Sequence, residues 1–118
     1  AHVLVVDDNP ANRKVAEAML RVAGCTVTTA NNGQEALVHL SAGSIDLVLM
    51  DCQMPIMDGY EATRLWREQE MEKRIPIIAL TANASTENET VCINAGMDVM
   101  LSKPFRKQQL EMLLSAWL

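Results

Sequence analysis

At 118 residues the chain has the length of one ordinary domain, and at this size folding removes roughly two thirds of the unfolded surface from water. Hydrophobic residues make up 49% and aromatic ones only 3%, so the core is aliphatic and offers no platform for stacking bases or sugars. The net charge of −5 argues against direct nucleic-acid binding, which needs clustered Lys and Arg, and the apolar runs are too short to cross a bilayer.

Val3 to Val6 is an apolar run without alternation, as expected of a parallel strand covered on both faces. A helix is predicted over residues 10–23, with Asn9 as N-cap, Pro10 at the first helical position and Gly24 just past the end; Val15, Met19 and Ala23 share one of its faces. A short strand over 25–30 leads to a helix over 33–42, capped by Asn32 and stopped by Gly43. Leu47 to Met50 forms the central strand, ending at Asp51, and a loop rich in bend residues follows (Met54-Pro55, Asp58-Gly59). The helix over 60–70 carries Ala62, Leu65, Trp66 and Gln69 in helical spacing. Ile75 to Leu80 is the fourth strand, and the helix over 86–95, preceded by Ser85 and followed by Gly96, presents Glu87, Asn88 and Glu89 on an exposed polar face. A strand over 98–102 and a helix over 107–117 complete the pattern.

Strict alternation of five strands and five helices predicts an α/β fold, an open parallel sheet with helices on both faces, and a single domain over residues 1–118 without repeat or linker. No signal-type segment opens the chain, which predicts a cytoplasmic protein. Cys25, Cys52 and Cys92 lack C-x-x-C spacing and are read as small buried hydrophobes; His2 and His39 stand alone, without a partner for metal binding or catalysis.

Ligands of such sheets bind beyond the carboxyl ends of the strands. Those ends carry Asp7-Asp8, Asp51, Thr81 and Lys103. Carboxylates about 4 Å apart repel by about 4 kcal/mol at an effective dielectric of about 20, so three of them imply a cation. Oxygen-only ligands suit a hard ion such as Mg²⁺, and Lys103 adds a second positive charge. A metal, a carboxylate, a lysine and a hydroxyl together are the equipment of phosphoryl transfer, and a carboxylate can itself become an aspartyl phosphate. Asp51, ending the central strand, is the candidate nucleophile; Thr81 and the backbone after Asp51 can donate hydrogen bonds.

Four segments in order, Val3 to Asp8 (VLVVDD), Leu47 to Gly59 (LVLMDCQMPIMDG), Ile77 to Ala82 (IIALTA) and Leu101 to Phe105 (LSKPF), resemble the receiver domains of two-component response regulators over essentially the whole chain. The resemblance implies a flavodoxin-like (βα)5 fold with strand order 2-1-3-4-5. It implies Asp51 as phosphoacceptor, and a Mg²⁺ site (Mn²⁺ as substitute) formed by Asp8 directly, Asp7 largely through water, Asp51, and the backbone carbonyl of Gln53. Thr81, Ala82 and Lys103 would bind the phosphoryl group, Thr81 would shift on activation, Gln53 and Asn83 would tune dephosphorylation, and the Lys103-Pro104 bond would be cis.

Where the family usually has Tyr or Phe as a second switch residue, three positions before the lysine, this chain has Met100. The implied phosphodonor is a histidine kinase or histidine phosphotransfer protein, docking near Asn12, Val15, Ala16, Met19, Pro104 and Phe105; the implied output surface comprises the fourth helix, fifth strand and fifth helix. The wording DCQMPIMDGYEATR, with IIALTANA and LSKPF, most resembles receivers of hybrid sensor histidine kinases, and a start at Ala1 rather than Met fits a piece of a longer polypeptide, the cytoplasmic part of a membrane-bound sensor among the options. Two rival readings stand beside this one. A phosphorylation-independent pseudo-receiver usually lacks one of the acidic residues or the lysine, and a Mg²⁺-dependent phosphohydrolase carries D-x-D on its first strand and a substrate-covering insert; here Asp7-Asp8-Asn9 stands at that place and no insert follows.

Overall fold

The structure, a computed structural model, describes residues 1–71, 73–83 and 85–118; Ala84, which closes the IIALTANA run, lies outside them. Strands and helices alternate as β1 (His2–Val6), α1 (Pro10–Val22), β2 (Thr26–Ala30), α2 (Gly33–Ala42), β3 (Leu47–Asp51), α3 (Gly59–Gln69), β4 (Ile77–Thr81), α4 (Thr86–Ala95), β5 (Val99–Ser102) and α5 (Lys107–Trp117). All strand pairs are parallel and the sheet order is β2-β1-β3-β4-β5, the flavodoxin-like order expected.

Successive strand residues point to opposite faces, which is why the apolar runs do not alternate. Leu4, Val6, Val48, Met50, Ile77 and Ala79 meet Ala36 and Leu40 of α2, Ala62 of α3 and Cys92 of α4 on one side. Val3, Val5, Leu47, Leu49, Ile78 and Leu80 meet Ala16 and Leu20 of α1 and Leu110 and Leu114 of α5 on the other. Complete burial of each such Leu, Ile or Val stabilises the fold by about 1.5–3 kcal/mol relative to exposure.

The helix starts follow their caps. The Asn9 side chain accepts hydrogen bonds from the N–H groups of Ala11 and Asn12 at 2.9 and 3.3 Å, Asn32 accepts from Glu35 and Ser85 from Asn88. β4 begins two residues later than the apolar run suggests, since Pro76 has no N–H for the ladder and the Ile75 N–H is taken by the Glu70 carboxylate at 2.8 Å.

Three expected faces are corrected. The inner residues of α1 are Ala16 and Leu20, one position on from Val15 and Met19; Val15 and Ala23 are exposed and Met19 is half-buried at the flank. On α3, Ala62 and Thr63 are buried and Trp66 half-buried, with Leu65 and Gln69 outward. Asn88 of α4 is half-buried, unlike its exposed neighbours Glu87 and Glu89.

At the amino ends of β4 and β5 a polar network fastens α3 to the sheet. Arg67 donates to Glu70 (2.9 Å), Asp98 (2.9 Å) and the carbonyl oxygens of Ile75 and Gly96, and Arg74 donates to Asp98 at 2.8 Å. The second Asp98 oxygen also accepts the Ile77 N–H at 2.8 Å, and Glu70 accepts the Trp66 indole N–H at 2.9 Å.

Candidate functional site

The parallel register brings the carboxyl ends of β1, β3, β4 and β5 to one edge. Asp51 closes β3 beside Leu80, Thr81 closes β4 beside Ser102, and the Lys103 N–H continues the ladder by donating to the Thr81 carbonyl at 2.7 Å. Gly59 lets α3 begin directly against this edge: a Cβ there would run into the carbonyl oxygen of Asp51 and come within 2.9 Å of Met50 Cγ. Its own N–H donates to the Cys52 carbonyl at 3.1 Å, so the loop after Asp51 is folded back onto the strand end.

Carboxylate oxygens of Asp7, Asp8 and Asp51 lie within 4.8 Å of one another. Asp7 and Asp51 are buried and Asp8 is exposed. Lys103 Nζ sits 3.3 Å from Asp51 Oδ1 and 3.5 Å from Asp7 Oδ2, one ammonium against three carboxylates. Asp7 is further fixed by the Asn9 N–H, which donates to Oδ1 at 2.9 Å, and by Arg13, which donates to its main-chain carbonyl at 2.8 Å.

Burial raises the Asp51 pKa above the usual carboxylate value, the neighbouring Asp7 charge adds to this, and Lys103 only partly offsets it. For Lys103 the loss of solvent works downward but is outweighed by Asp51 and Asp7, which hold the ammonium above its ordinary pKa. The edge thus carries excess negative charge with a permanent cation beside it. Its donors are hard carboxylate oxygens with an open, exposed member in Asp8, which suits a divalent ion that keeps part of its water.

A cleft of about 210 Å³ opens over this edge, lined by Asp51, Cys52, Gln53, Tyr60, Thr81, Ala82, Asn83, Asn88 and Lys103. The Thr81 hydroxyl donates to the Asn83 carbonyl at 3.0 Å and accepts from the Asn83 N–H at 3.0 Å and from Asn88 Nδ2 at 2.8 Å. Cys52 is buried in the wall, its Sγ 3.9 Å from that of Cys92, and loss of solvent pushes its thiol pKa up to about 12. A second, mainly apolar cleft of about 450 Å³ lies alongside between α1 and the β5–α5 loop, lined in part by Asn12, Val15, Ala16, Pro104 and Phe105; the Lys103–Pro104 peptide bond at its edge is cis.

Of the residues read from the sequence, Asp7, Asp8, Asp51 and Lys103 therefore meet, and Gln53, Thr81, Ala82 and Asn83 line the same cleft. Met100 is half-buried behind it and Pro104 borders the neighbouring cleft. Sequence reasoning missed Tyr60 and Asn88. Tyr60 carried a usable signal, since it sits in the first turn of the helix that starts at Asp58-Gly59; Asn88, flanked closely by glutamates, read as solvated.

The family model of the response regulator receiver domain matches residues 3–115. The chain is 40% identical to the sensor histidine kinase GacS of Pseudomonas protegens over 98% of its own length and 13% of that protein, and it spans only 6–15% of the length of its first histidine-kinase relatives. It is similar to the receiver domain of sensor histidine kinase PA1611 from Pseudomonas aeruginosa, solved with magnesium in the active-site cleft (TM-score 0.90, 46% identity, 98% of this chain and 95% of that one). It is also similar to the receiver of the Saccharomyces cerevisiae response regulator Ssk1, solved with the histidine phosphotransfer protein Ypd1 (TM-score 0.91, 28% identity, 98% and 87%).

Proposed function

The chain belongs to the response regulator receiver family, and from that premise we propose that Asp51 is the residue on which it accepts its phosphoryl group. It is a phosphoryl-accepting signalling domain of the two-component type, similar to the receivers of hybrid histidine kinases. The observation that carries the assignment is the gathering of Asp7, Asp8 and Asp51 within 4.8 Å, opposed by the single ammonium of Lys103. Of the three, Asp51 is the one that both contacts Lys103 and lines the cleft with Thr81.

In the proposed transfer an Asp51 carboxylate oxygen attacks the phosphorus of a phosphohistidine; a P–O bond forms while the P–N bond breaks, and its electron pair stays on the departing imidazole nitrogen. Lys103 faces the charge that gathers on the phosphoryl oxygens, and the N–H groups after Asp51 and Thr81 are within reach to orient them. Asp7, Asp8, Asp51 and the Gln53 carbonyl would hold Mg²⁺ or Mn²⁺, which when bound neutralises charge on the carboxylates and on the incoming group. Gln53 and Asn83, which both line the cleft, are the positions that would govern access of water to the aspartyl phosphate.

The donor is proposed to be a histidine kinase or a histidine phosphotransfer protein seated over Asn12, Val15, Ala16, Pro104 and Phe105, a reading supported by the solved pairing of a similar receiver with Ypd1. No helix among the described residues is long and apolar enough to cross a membrane. Incubation with phosphoramidate and Mg²⁺, followed by intact-mass measurement, is expected to add one phosphoryl group that Asp51→Asn abolishes. Full incorporation in that variant overturns the assignment.

A further inference from the structure

Asn88 is a polar residue that the phosphorylation chemistry leaves unused, yet it joins four elements. From α4 its Nδ2 donates to Thr81 Oγ1 of β4 at 2.8 Å and to the Asn83 carbonyl at 2.6 Å, and lies 3.8 Å from the sulfur of Met100 on β5. Its Oδ1 accepts from the Tyr60 hydroxyl of α3 at 2.8 Å. The Asn83 carbonyl can only accept, which fixes the amide with its nitrogen toward Thr81 and its oxygen toward Tyr60.

The consequence falls on Thr81. Its hydroxyl proton is given to the Asn83 carbonyl, and its oxygen accepts from two N–H donors. To donate toward a phosphoryl group on Asp51, Thr81 has to surrender the Asn83 carbonyl, and a shift of its oxygen toward Asp51 draws it off the Asn88 amide. Met100, a flexible side chain at the site where a ring would have two defined packings, rests against the amide and supplies only the weak acceptor of a thioether.

We propose that Tyr60 and Asn88 form a latch that holds Thr81 in its unphosphorylated arrangement, Tyr60 acting only through Asn88; both are positioning residues for the acceptance of phosphoryl by Asp51. This rests on the phosphoacceptor reading above and adds a restraint that the reading does not require. A ligand's apparent affinity scales with the population of the competent state, so weakening the latch tightens binding of a phosphoryl mimic. One hydrogen bond lost from the resting state predicts roughly a 2- to 10-fold change.

The test titrates the chain with beryllofluoride at saturating Mg²⁺ and follows the Thr81 methyl by NMR in the parent, Tyr60→Phe, Asn88→Ala, the double variant and Asp51→Asn. Tyr60→Phe is expected to bind beryllofluoride about 2- to 5-fold more tightly and Asn88→Ala about 3- to 10-fold. The double variant is expected to match Asn88→Ala, because a residue that acts through another adds nothing once that other is gone. In the unliganded Tyr60→Phe variant the Thr81 methyl resonance is expected to move toward its position in the beryllofluoride-saturated parent. Unchanged or weaker binding in both single variants, or additive effects in the double, overturns the latch. If Asn88→Ala does not fold, Tyr60→Phe decides by affinity and by methyl shift. A parent response that Asp51→Asn abolishes leaves the phosphoacceptor reading standing whatever the latch variants do, whereas a parent without any response removes that reading and the latch with it.

Discussion

Charged groups gather at both ends of the sheet, and the two gatherings are built differently. At the amino ends of β4 and β5 two carboxylates, Glu70 and Asp98, meet two guanidiniums, Arg67 and Arg74, at 2.8–2.9 Å; Glu70 Oε2 also accepts from the Ile75 and Trp66 N–H groups, and Asp98 Oδ2 from that of Ile77. At the carboxyl ends three carboxylates cluster around one ammonium, which lies 3.3 Å from Asp51 and 3.5 Å from Asp7. The first set is neutral and saturated; the second is two charges short and loosely paired. The first cluster balances its own charge and supports the fold, whereas the second, left unbalanced at the edge of an aliphatic sheet, suits the cation and phosphoryl group proposed for it.

The sharpest way to break this comparison is Arg67→Ala, which leaves Glu70 and Asp98 partly buried without their main partner. A loss of about 3 kcal/mol is expected, a fall in Tm of about 10 °C in thermal unfolding, and a loss below about 1 kcal/mol makes the network peripheral. At the other end, Asp8→Asn removes a proposed metal ligand without removing any buried contact, so Mg²⁺ affinity is expected to fall at least about tenfold while Tm in EDTA stays level or rises. Calorimetric titration reads the first number, and an unchanged affinity moves the metal elsewhere.

Asp51→Asn tests the imbalance itself. Because burial and Asp7 raise the pKa of Asp51, the folded state holds its proton more tightly than the unfolded chain does, and stability is therefore lost as pH rises above the ordinary carboxylate value. In EDTA at pH 7 the variant is expected to melt a few degrees above the parent, with the gap closing at pH 4. A gap of equal size at both pH values traces to something other than ionisation. The smallest effect concerns Cys52, whose thiol, at about 12, is ionised in only about one molecule in 10⁴ at pH 8. Thiol reagent is expected to titrate half-buried Cys25 quickly and Cys52 and Cys92 only after unfolding. Rapid native labelling of Cys52 shows that the cleft wall opens.

What could be read in advance follows the same division. Asp7, Asp8, Asp51, Thr81 and Lys103 were legible because each stands within two residues of the end of an apolar run, and a parallel sheet sends every run's end to one edge whatever the details of packing. The hydrogen bonds of Tyr60 and Asn88 toward Thr81 and the Arg67 network were not, because Tyr60, Asn88 and Arg67 sit on helices whose rotation about the axis decides which polar side chains turn inward. That rotation is set by small residues in contact with the sheet, Ala16 on α1 and Ala62 with Thr63 on α3, and a one-residue error in the inner face, as between Val15 and Ala16, reassigns every polar neighbour.

The 3.5 Å contact between Lys103 and Asp7 joins residues 96 positions apart. Closing so wide a loop is entropically costly, and it needs both β1, seated between β2 and β3, and the edge strand β5, which pairs only with β4. A chain emerging from synthesis thus carries all three aspartates long before it carries the lysine that faces them. Until β5 is docked the proposed site lacks its only facing ammonium, so under the assignment proposed above acceptance of phosphoryl would itself report a finished fold.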